Sequence, residues 1–166
     1  MSYVVEVDQS GKVEDTKEDS VLAMSNGKTF SVCISASIKR TCIRELRNKM
    51  PPQKMYLQMF TVGLYFLLRD YSHTLTRVHI DQEYQGKNDA IKEHLVNLLL
   101  RNGYFVDPRA IQFTLVGKHS PAHTVAWGTL RKHKKPNKVV QLDEFMQEFR
   151  PKKKIGDPVR GKCKVR

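Results

Sequence analysis

The chain has 166 residues, 40% of them hydrophobic and 28% charged, which excludes global disorder and fits a single folded domain. Its net charge of +12 is uneven, because residues 117–166 carry 14 Lys and Arg against 4 Asp and Glu. A molecule with one strongly basic end attracts polyanions, so we expect a nucleic-acid partner. No sequence feature identifies a protein partner.

The cysteines and the apolar stretches bear on the compartment. Three cysteines without a CxxC pair argue against a disulfide framework and favour a reducing environment. The first residues show no basic segment followed by an apolar one, so no secretory signal is expected. The most apolar stretch, residues 55–68, is interrupted by Gln58 and Thr61 and is shorter than the roughly 20 residues of a bilayer span. We expect an intracellular protein, in the cytoplasm or nucleoid, with no membrane attachment.

The first 35 residues are predicted to form a three-stranded meander. β-Branched and aromatic residues predict strands over residues 3–8, 21–25 and 29–35. Asn26-Gly27 separates the second strand from the third, and this dipeptide favours a hairpin turn in which both central residues have positive φ.

Helices and strands are then predicted to alternate. Ile38, Cys42 and Leu46 share one helix face, and Pro51-Pro52 ends that helix. The later predictions are a nearly enclosed helix over 53–70, a strand over 76–81, a helix between Asn88 and Gly103, a strand over 111–116 and a helix from Ser120-Pro121 to about residue 132. This order predicts an α/β fold with a mixed five-stranded sheet and helices on its faces.

The chain divides into three predicted parts. The α/β domain occupies residues 1–135, and an appended C-terminal helix lies within residues 136–149, where Leu142, Phe145 and Met146 share a face. Residues 150–166 are basic and poor in apolar side chains, so they are predicted to be a disordered tail.

Two carboxylates stand at predicted strand ends. Asp8 closes the first strand and Asp81 the fourth, and Glu83 follows two residues later. If these strands are adjacent and parallel, the acids meet beyond the carboxyl edge of the sheet. Converging carboxylates suit Mg²⁺ or Mn²⁺, which prefer hard oxygen ligands. A lone Asp at a strand end is otherwise a common turn or cap residue.

The order of elements and two short motifs resemble the RNase H-like superfamily, and most closely its RuvC-type resolvase branch. YVVEVDQSGK looks like the first strand of that fold, with Asp8 at its first metal-binding position, and RVHIDQEYQGKN looks like the fourth strand, with Asp81 at the next acidic position. The resemblance covers residues 3–133. It implies a β-β-β-α-β-α-β-α fold and Mg²⁺- or Mn²⁺-dependent hydrolysis of phosphodiesters, with structured or junction DNA preferred to an RNA–DNA hybrid.

The last helix departs from the family pattern, in which it supplies another acid. The segment KHSPAHTVAWGTLRKHK contains no carboxylate and offers His119 and His123 instead. Three interpretations remain open: His123 replaces the acid as a ligand or general acid/base, Glu83 or Glu45 completes the metal shell, or the site is incomplete. His119 and His123 have the spacing of zinc-binding helices, but no HExxH motif surrounds them.

Basic residues are candidates for binding the nucleic-acid backbone. They form two runs in the C-terminal third, and a further lysine follows the fifth predicted strand. The candidates are Arg131, Lys132, Lys134, Lys135, Lys152, Lys153, Lys154 and Lys118. Trp127, between them, is predicted to belong to the core.

The leading hypothesis is a nuclease in which Asp8, Asp81, Glu83 and His123 form the catalytic and metal-binding site. The alternative is a catalytically inactive nucleic-acid-binding or assembly protein of the same fold. A restriction-endonuclease-like nuclease built on Asp81, Glu83 and Lys87 ranks last, since the expected ExK spacing is missing. Resolvase-like cutting of two strands would require a homodimer.

Overall fold

A computed structural model describes residues 1–150. The predicted tail beyond that point, with Lys152, Lys153 and Lys154, lies outside the described residues. Six strands form one mixed sheet: β1 Tyr3–Ser10, β2 Ser20–Ser25, β3 Phe30–Ile34, β4 Leu75–Asp81, β5 Ile111–Thr114 and β6 Lys138–Val139. Their order across the sheet is β5-β4-β1-β2-β3-β6.

Five α-helices accompany the sheet. They are α1 Ala36–Leu46, α2 Pro52–Leu68, α3 Asn88–Arg101, α4 Pro121–Leu130 and α5 Leu142–Gln147. Short 3-10 helices lie at Arg69–Thr74 and Pro108–Ala110. No helix within residues 1–150 is both long enough and apolar enough to cross a membrane.

The direction of the strands places the ends of β1, β4 and β5 at one edge. β1, β2 and β3 form the predicted antiparallel meander, and the turn between β2 and β3 has positive φ at Asn26 (67°) and Gly27 (138°). β4 runs parallel to both β1 and β5. Because Val7 pairs with Ile80, the next residues of the two strands, Asp8 and Asp81, stand side by side.

Alternation along the strands separates two faces of the sheet. Val5 and Val7 point into the main core, which includes the apolar residues of α2 and α3. The intervening positions of β1 and β2 lie on the other face, where Ala126 of α4 packs against Val21 and Ala23. Side chains of β1 at even positions, Asp8 included, therefore face α4.

The apolar helix α2 is enclosed, as its sequence predicts. Every residue from Met59 to Leu68 is buried, and Gly63 lies so close to the sheet that a Cβ atom there would sit 3.1 Å from Cδ1 of Ile34. α2 is covered by the sheet and by α1 and α3 of its own chain. Its apolar surface therefore does not require a second subunit.

The prediction of a five-stranded sheet is wrong, because residues 138–139 add a sixth strand. Val32 and Cys33 of β3 pair with Lys138 and Val139, and the Val140 N–H donates to the Cys33 carbonyl at 3.0 Å. Phe145 of α5 is fully buried in the main core. The segment expected as an appendage thus covers the free edge of β3. A two-residue strand has no period-2 pattern, so the sequence did not reveal it.

A buried lysine organises the loop between β1 and β2. Lys39 of α1 has 0% exposure, and its ammonium donates to the Asp15 carbonyl, to Ser20 Oγ at 2.8 Å and to the Lys12 carbonyl at 3.3 Å. Burial lowers the pKa of Lys39, while Asp15 and Asp19 act in the opposite direction. The loop that follows the strand of Asp8 is therefore pinned to α1 by one cation.

We expect Lys39→Met to lower the free energy of unfolding by at least about 2 kcal/mol, because it leaves the buried Ser20 hydroxyl and the carbonyls of Lys12 and Asp15 without their donor. Chemical denaturation monitored by circular dichroism measures the change. Lys49→Met, at an exposed lysine, is the matched control and should shift the midpoint little. Equal midpoints for the two variants would contradict the anchoring role of Lys39.

Candidate metal centre

The structure brings three carboxylates together at the carboxyl ends of β1 and β4. One oxygen from each of Asp8, Asp81 and Glu83 lies within 4.8 Å of the others. Parallel pairing supplies the two aspartates, and Glu83 comes from the loop after β4. These are the three acids that the sequence singles out for Mg²⁺ or Mn²⁺.

Asp8 is held at both carboxylate oxygens. It is 6% exposed; its Oδ1 accepts from the Gln9 N–H at 2.8 Å, and its Oδ2 is hydrogen-bonded to Nδ1 of His123 at 2.7 Å. Burial raises the pKa of Asp8, whereas these two hydrogen bonds lower it and the nearby Asp81 raises it further. Asp8 is thus fixed in orientation and desolvated at the same time.

His123 contacts the centre through Asp8 and is not one of the three clustered groups. It lies in the first turn of α4, where Ser120 is the N-cap and Pro121 the first helical residue, as the sequence predicts. The Ser120 hydroxyl also donates to the carboxylate of Glu6, two residues before Asp8 on the same face of β1. Sequence reasoning missed this contact, because nothing local links Glu6 to a residue 114 positions later.

Asp81 ties the loop after β5 to the centre. Its Oδ1 accepts from the Val116 N–H at 2.9 Å. The residues that follow in this loop, Lys118 and His119, are exposed. Lys118 therefore stands on a loop fastened to the acidic cluster, which suits the phosphate-binding role predicted for it.

Among the three acids of the cluster, Glu83 has the pKa that is shifted most from its ordinary value. Burial, followed by the charges of Asp81 and Asp8, raises the pKa of Glu83 to about 7, and Lys12 opposes this shift. Carboxylates that repel one another in this way fit a divalent cation, which would relieve both effects. The donor set of three carboxylates matches the hard-oxygen preference of Mg²⁺ and Mn²⁺. Lys12 is a further residue that sequence reasoning missed.

Three other candidates do not belong to this centre. Glu45 is exposed on α1 and does not belong to the cluster of acids found within residues 1–150. No metal-binding group of three in that range includes His119. Lys87 and Glu83 line the same cavity, but the salt bridges found within residues 1–150 do not include this pair.

The far end of α4 carries the basic residues. Lys132, Lys134 and Lys135 line a cavity of about 420 Å³ that also reaches Cys33. His123 lies in the first turn of α4 and Arg131 is its C-cap, so the acidic centre and this basic surface lie at opposite ends of a helix about 15 Å long.

The prediction that Trp127 belongs to the core is wrong, because Trp127 is 44% exposed. α4 packs on the sheet through small residues such as Ala122 and Ala126, which turns Trp127 outward. The guanidinium of Arg131 lies 5.9 Å from the Trp127 ring centroid, and the His133 ring lies at 5.5 Å. An exposed aromatic ring beside a guanidinium suits contact with nucleic acid.

The raised pKa of Glu83 predicts a pH-dependent stability. Between about pH 4.5 and 7 the folded protein keeps a proton that the unfolded chain has released, so the free energy of unfolding falls as pH rises. We expect the melting temperature in EDTA to fall over this range more steeply for the wild type than for Glu83→Gln. Mn²⁺ should raise the melting temperature more at pH 7.5 than at pH 5, because cation and proton compete.

Glu93→Gln, at an exposed position of α3, is the control and should keep the wild-type slope. Identical slopes for Glu83→Gln and the wild type would show that Glu83 does not hold this proton.

Comparison of the chain with protein-family models, with curated proteins and with solved structures finds no significant match in any of the three. The observations that bear on the function of the protein are therefore the acidic centre, the residues of α4 and the distribution of charge.

Proposed function

We propose that the protein is a divalent-metal-dependent nuclease of RNase H-like type that hydrolyses phosphodiester bonds. Structured or junction DNA is the preferred substrate, ahead of an RNA–DNA hybrid. The observation that carries the proposal is the cluster of Asp8, Asp81 and Glu83 at the carboxyl ends of two adjacent parallel strands. Its setting in a chain of net charge +12 adds the attraction for a polyanion.

The topology supports the RNase H-like assignment. An antiparallel meander is followed by a helical layer, then β4, α3, β5 and α4. This is the order of elements on which the sequence resemblance rests, with α2 and β6 as additions. Asp8 and Asp81, the two residues that the resemblance assigns to metal binding, stand side by side on β1 and β4, which supports the proposal.

The residues of the centre have separable tasks. Asp8, Asp81 and Glu83 would hold Mg²⁺ or Mn²⁺, and such an ion would polarise the phosphate and activate water. Asp8 is oriented by His123 and the Gln9 N–H, and Asp81 by the Val116 N–H. Glu83 holds a proton until about pH 7, so cation binding near neutral pH is coupled to proton release.

His123 takes the place on α4 where the family supplies an acid. Its side chain is 31% exposed, and its Nδ1 contacts Asp8. It can therefore orient Asp8 from one side and exchange a proton with solvent on the other. Of the interpretations open from the sequence, this arrangement supports a role for His123 through Asp8 rather than as a direct ligand.

The basic end of α4 supplies the attraction that the acidic centre lacks. Lys132, Lys134 and Lys135 provide positive charge at the opposite end of α4 from the carboxylates. Phosphates bound there would position a nucleic-acid strand along α4, past Trp127. Such contacts favour any nucleic acid and do not select a sequence.

A second candidate function is binding without catalysis. The observation in its favour is that α4 offers no carboxylate, and His123 reaches the centre only through Asp8. A binding protein of this kind would hold nucleic acid equally well in EDTA and in Mn²⁺, and would leave it intact in both.

We expect Asp8→Asn and Asp81→Asn each to lower the cleavage rate by at least about 100-fold, because each removes a charge that holds the cation. The assay uses end-labelled four-way junction, duplex, hybrid and single-stranded substrates in Mn²⁺. Asp143→Asn, at an exposed position of α5, is the control and should cleave as the wild type does. Wild-type rates in the double variant Asp8→Asn, Asp81→Asn would overturn the nuclease proposal.

We expect alanine substitution of Lys132, Lys134 and Lys135 together to weaken DNA binding and to flatten its salt dependence, since fewer counterions are released. Fluorescence anisotropy at several salt concentrations measures both. The control is a second triple variant, with alanine at the exposed residues Arg44, Lys49 and Lys54. It loses the same three positive charges, but on the opposite face of the sheet. Equal losses in the two triple variants would mean that net charge, and not the end of α4, governs binding.

A further inference from the structure

A second cavity opens directly beside the acidic centre. It has a volume of about 450 Å³ and lies between the loop after β4 and the first turns of α2. Glu83 lines this cavity and also belongs to the metal cluster, so the two sites share a wall. Whatever occupies the cavity therefore lies next to the bond that the centre would cleave.

The walls combine flat apolar surfaces with hydrogen-bonding groups. Tyr56, Tyr84 and Leu57 supply the apolar part, and the amides of Gln53 and Gln85 stand beside them. Tyrosine faces stack on bases of any identity. Glutamine amides donate and accept, and therefore suit the edges of bases.

The charge of the cavity argues against a phosphate as the occupant. Two carboxylates, Glu14 and Glu83, line it against one cation, Lys87. A carboxylate accepts hydrogen bonds, which suits the exocyclic amine of adenine, cytosine or guanine. The backbone phosphates would instead lie on the lysines at the end of α4.

The cavity wall is built from constrained residues. The Tyr84 hydroxyl donates to Glu14 Oε2 at 3.0 Å, and the Tyr84 ring packs against Phe60 with centroids 5.2 Å apart. Glu14 belongs to the loop that Lys39 pins to α1. The wall is thus held in place by contacts on both sides of the loop.

We propose that this cavity binds an unpaired nucleobase of the nucleotide next to the scissile phosphate. The inference rests on the proposed nuclease function and names its substrate class: a strand with an unstacked base at the cleavage point, as in a junction, a bulge or a single strand. A base inside a continuous duplex cannot reach such a cavity without leaving the stack. Duplex without defects is accordingly the poorest substrate.

The test measures binding in EDTA, where no cleavage occurs. The probes are two oligonucleotide duplexes with one 2-aminopurine, bulged in one and paired in the other, followed by fluorescence and anisotropy. We expect the wild type to bind the bulged duplex more tightly and to change its fluorescence. Tyr56→Ala should lower affinity for the bulged duplex about 10-fold and leave the paired duplex unaffected, because a stacking surface is lost.

Three further variants distinguish loss of the base site from loss of the folded structure as the cause of weaker binding. Tyr56→Phe keeps the ring and should bind as the wild type does, and Gln53→Ala, at an exposed position, should weaken binding of the bulged duplex. Glu14→Gln should reduce the preference for an unpaired adenine over an unpaired thymine. The same ratio of bulged to paired affinity in the wild type, Tyr56→Ala and Gln53→Ala would overturn the proposal.

The proposed base site and the proposed nuclease activity can fail independently of each other. A protein that fails to cleave any substrate in Mn²⁺ but loses bulge preference in Tyr56→Ala has the base site without the activity. A protein that cleaves bulged and paired duplexes equally, with unchanged rates in Tyr56→Ala, has the activity without the base site.

Discussion

The parallel pairing of β1 with β4 is the constraint on which the acidic centre depends. Strands whose paired residues lie 73 positions apart in the chain are brought into register so that Val7 faces Ile80, and Asp8 and Asp81 follow at the same edge. A slip of one residue would turn one of these carboxylates to the other face of the sheet. Burial of Val5, Val7, Val78 and Ile80 fixes the register, so the core itself positions the site.

Holding three carboxylates this close is unfavourable without compensation, and the surrounding structure supplies it in parts. His123 and the Gln9 N–H stabilise the charge of Asp8, Val116 that of Asp81, and Lys12 that of Glu83. The compensation is incomplete, since the pKa of Glu83 stays near 7. Burial of Glu83 and its repulsion from Asp81 and Asp8 are together the physical reason to propose a cation at the centre.

Agreement between sequence and structure is best where the pattern is local. The meander, its Asn26-Gly27 turn, the enclosed helix α2 and the N-cap Ser120 follow from periodicity and turn chemistry. The failures are β6 and Trp127. A two-residue strand is too short to carry a period, and the exposure of Trp127 depends on which side of α4 meets the sheet.

The sequence by itself determined the mixed α/β class, the acids at two strand ends and the basic C-terminal third, because each of these features follows from a pattern of residues that are close together in the chain. Only the tertiary structure decided that Glu83 joins the two aspartates, that His123 and Ser120 of α4 bind acids of β1, and that Lys39 secures the intervening loop. These contacts join residues far apart in the chain, and their geometry exists only once the sheet has closed against its helices.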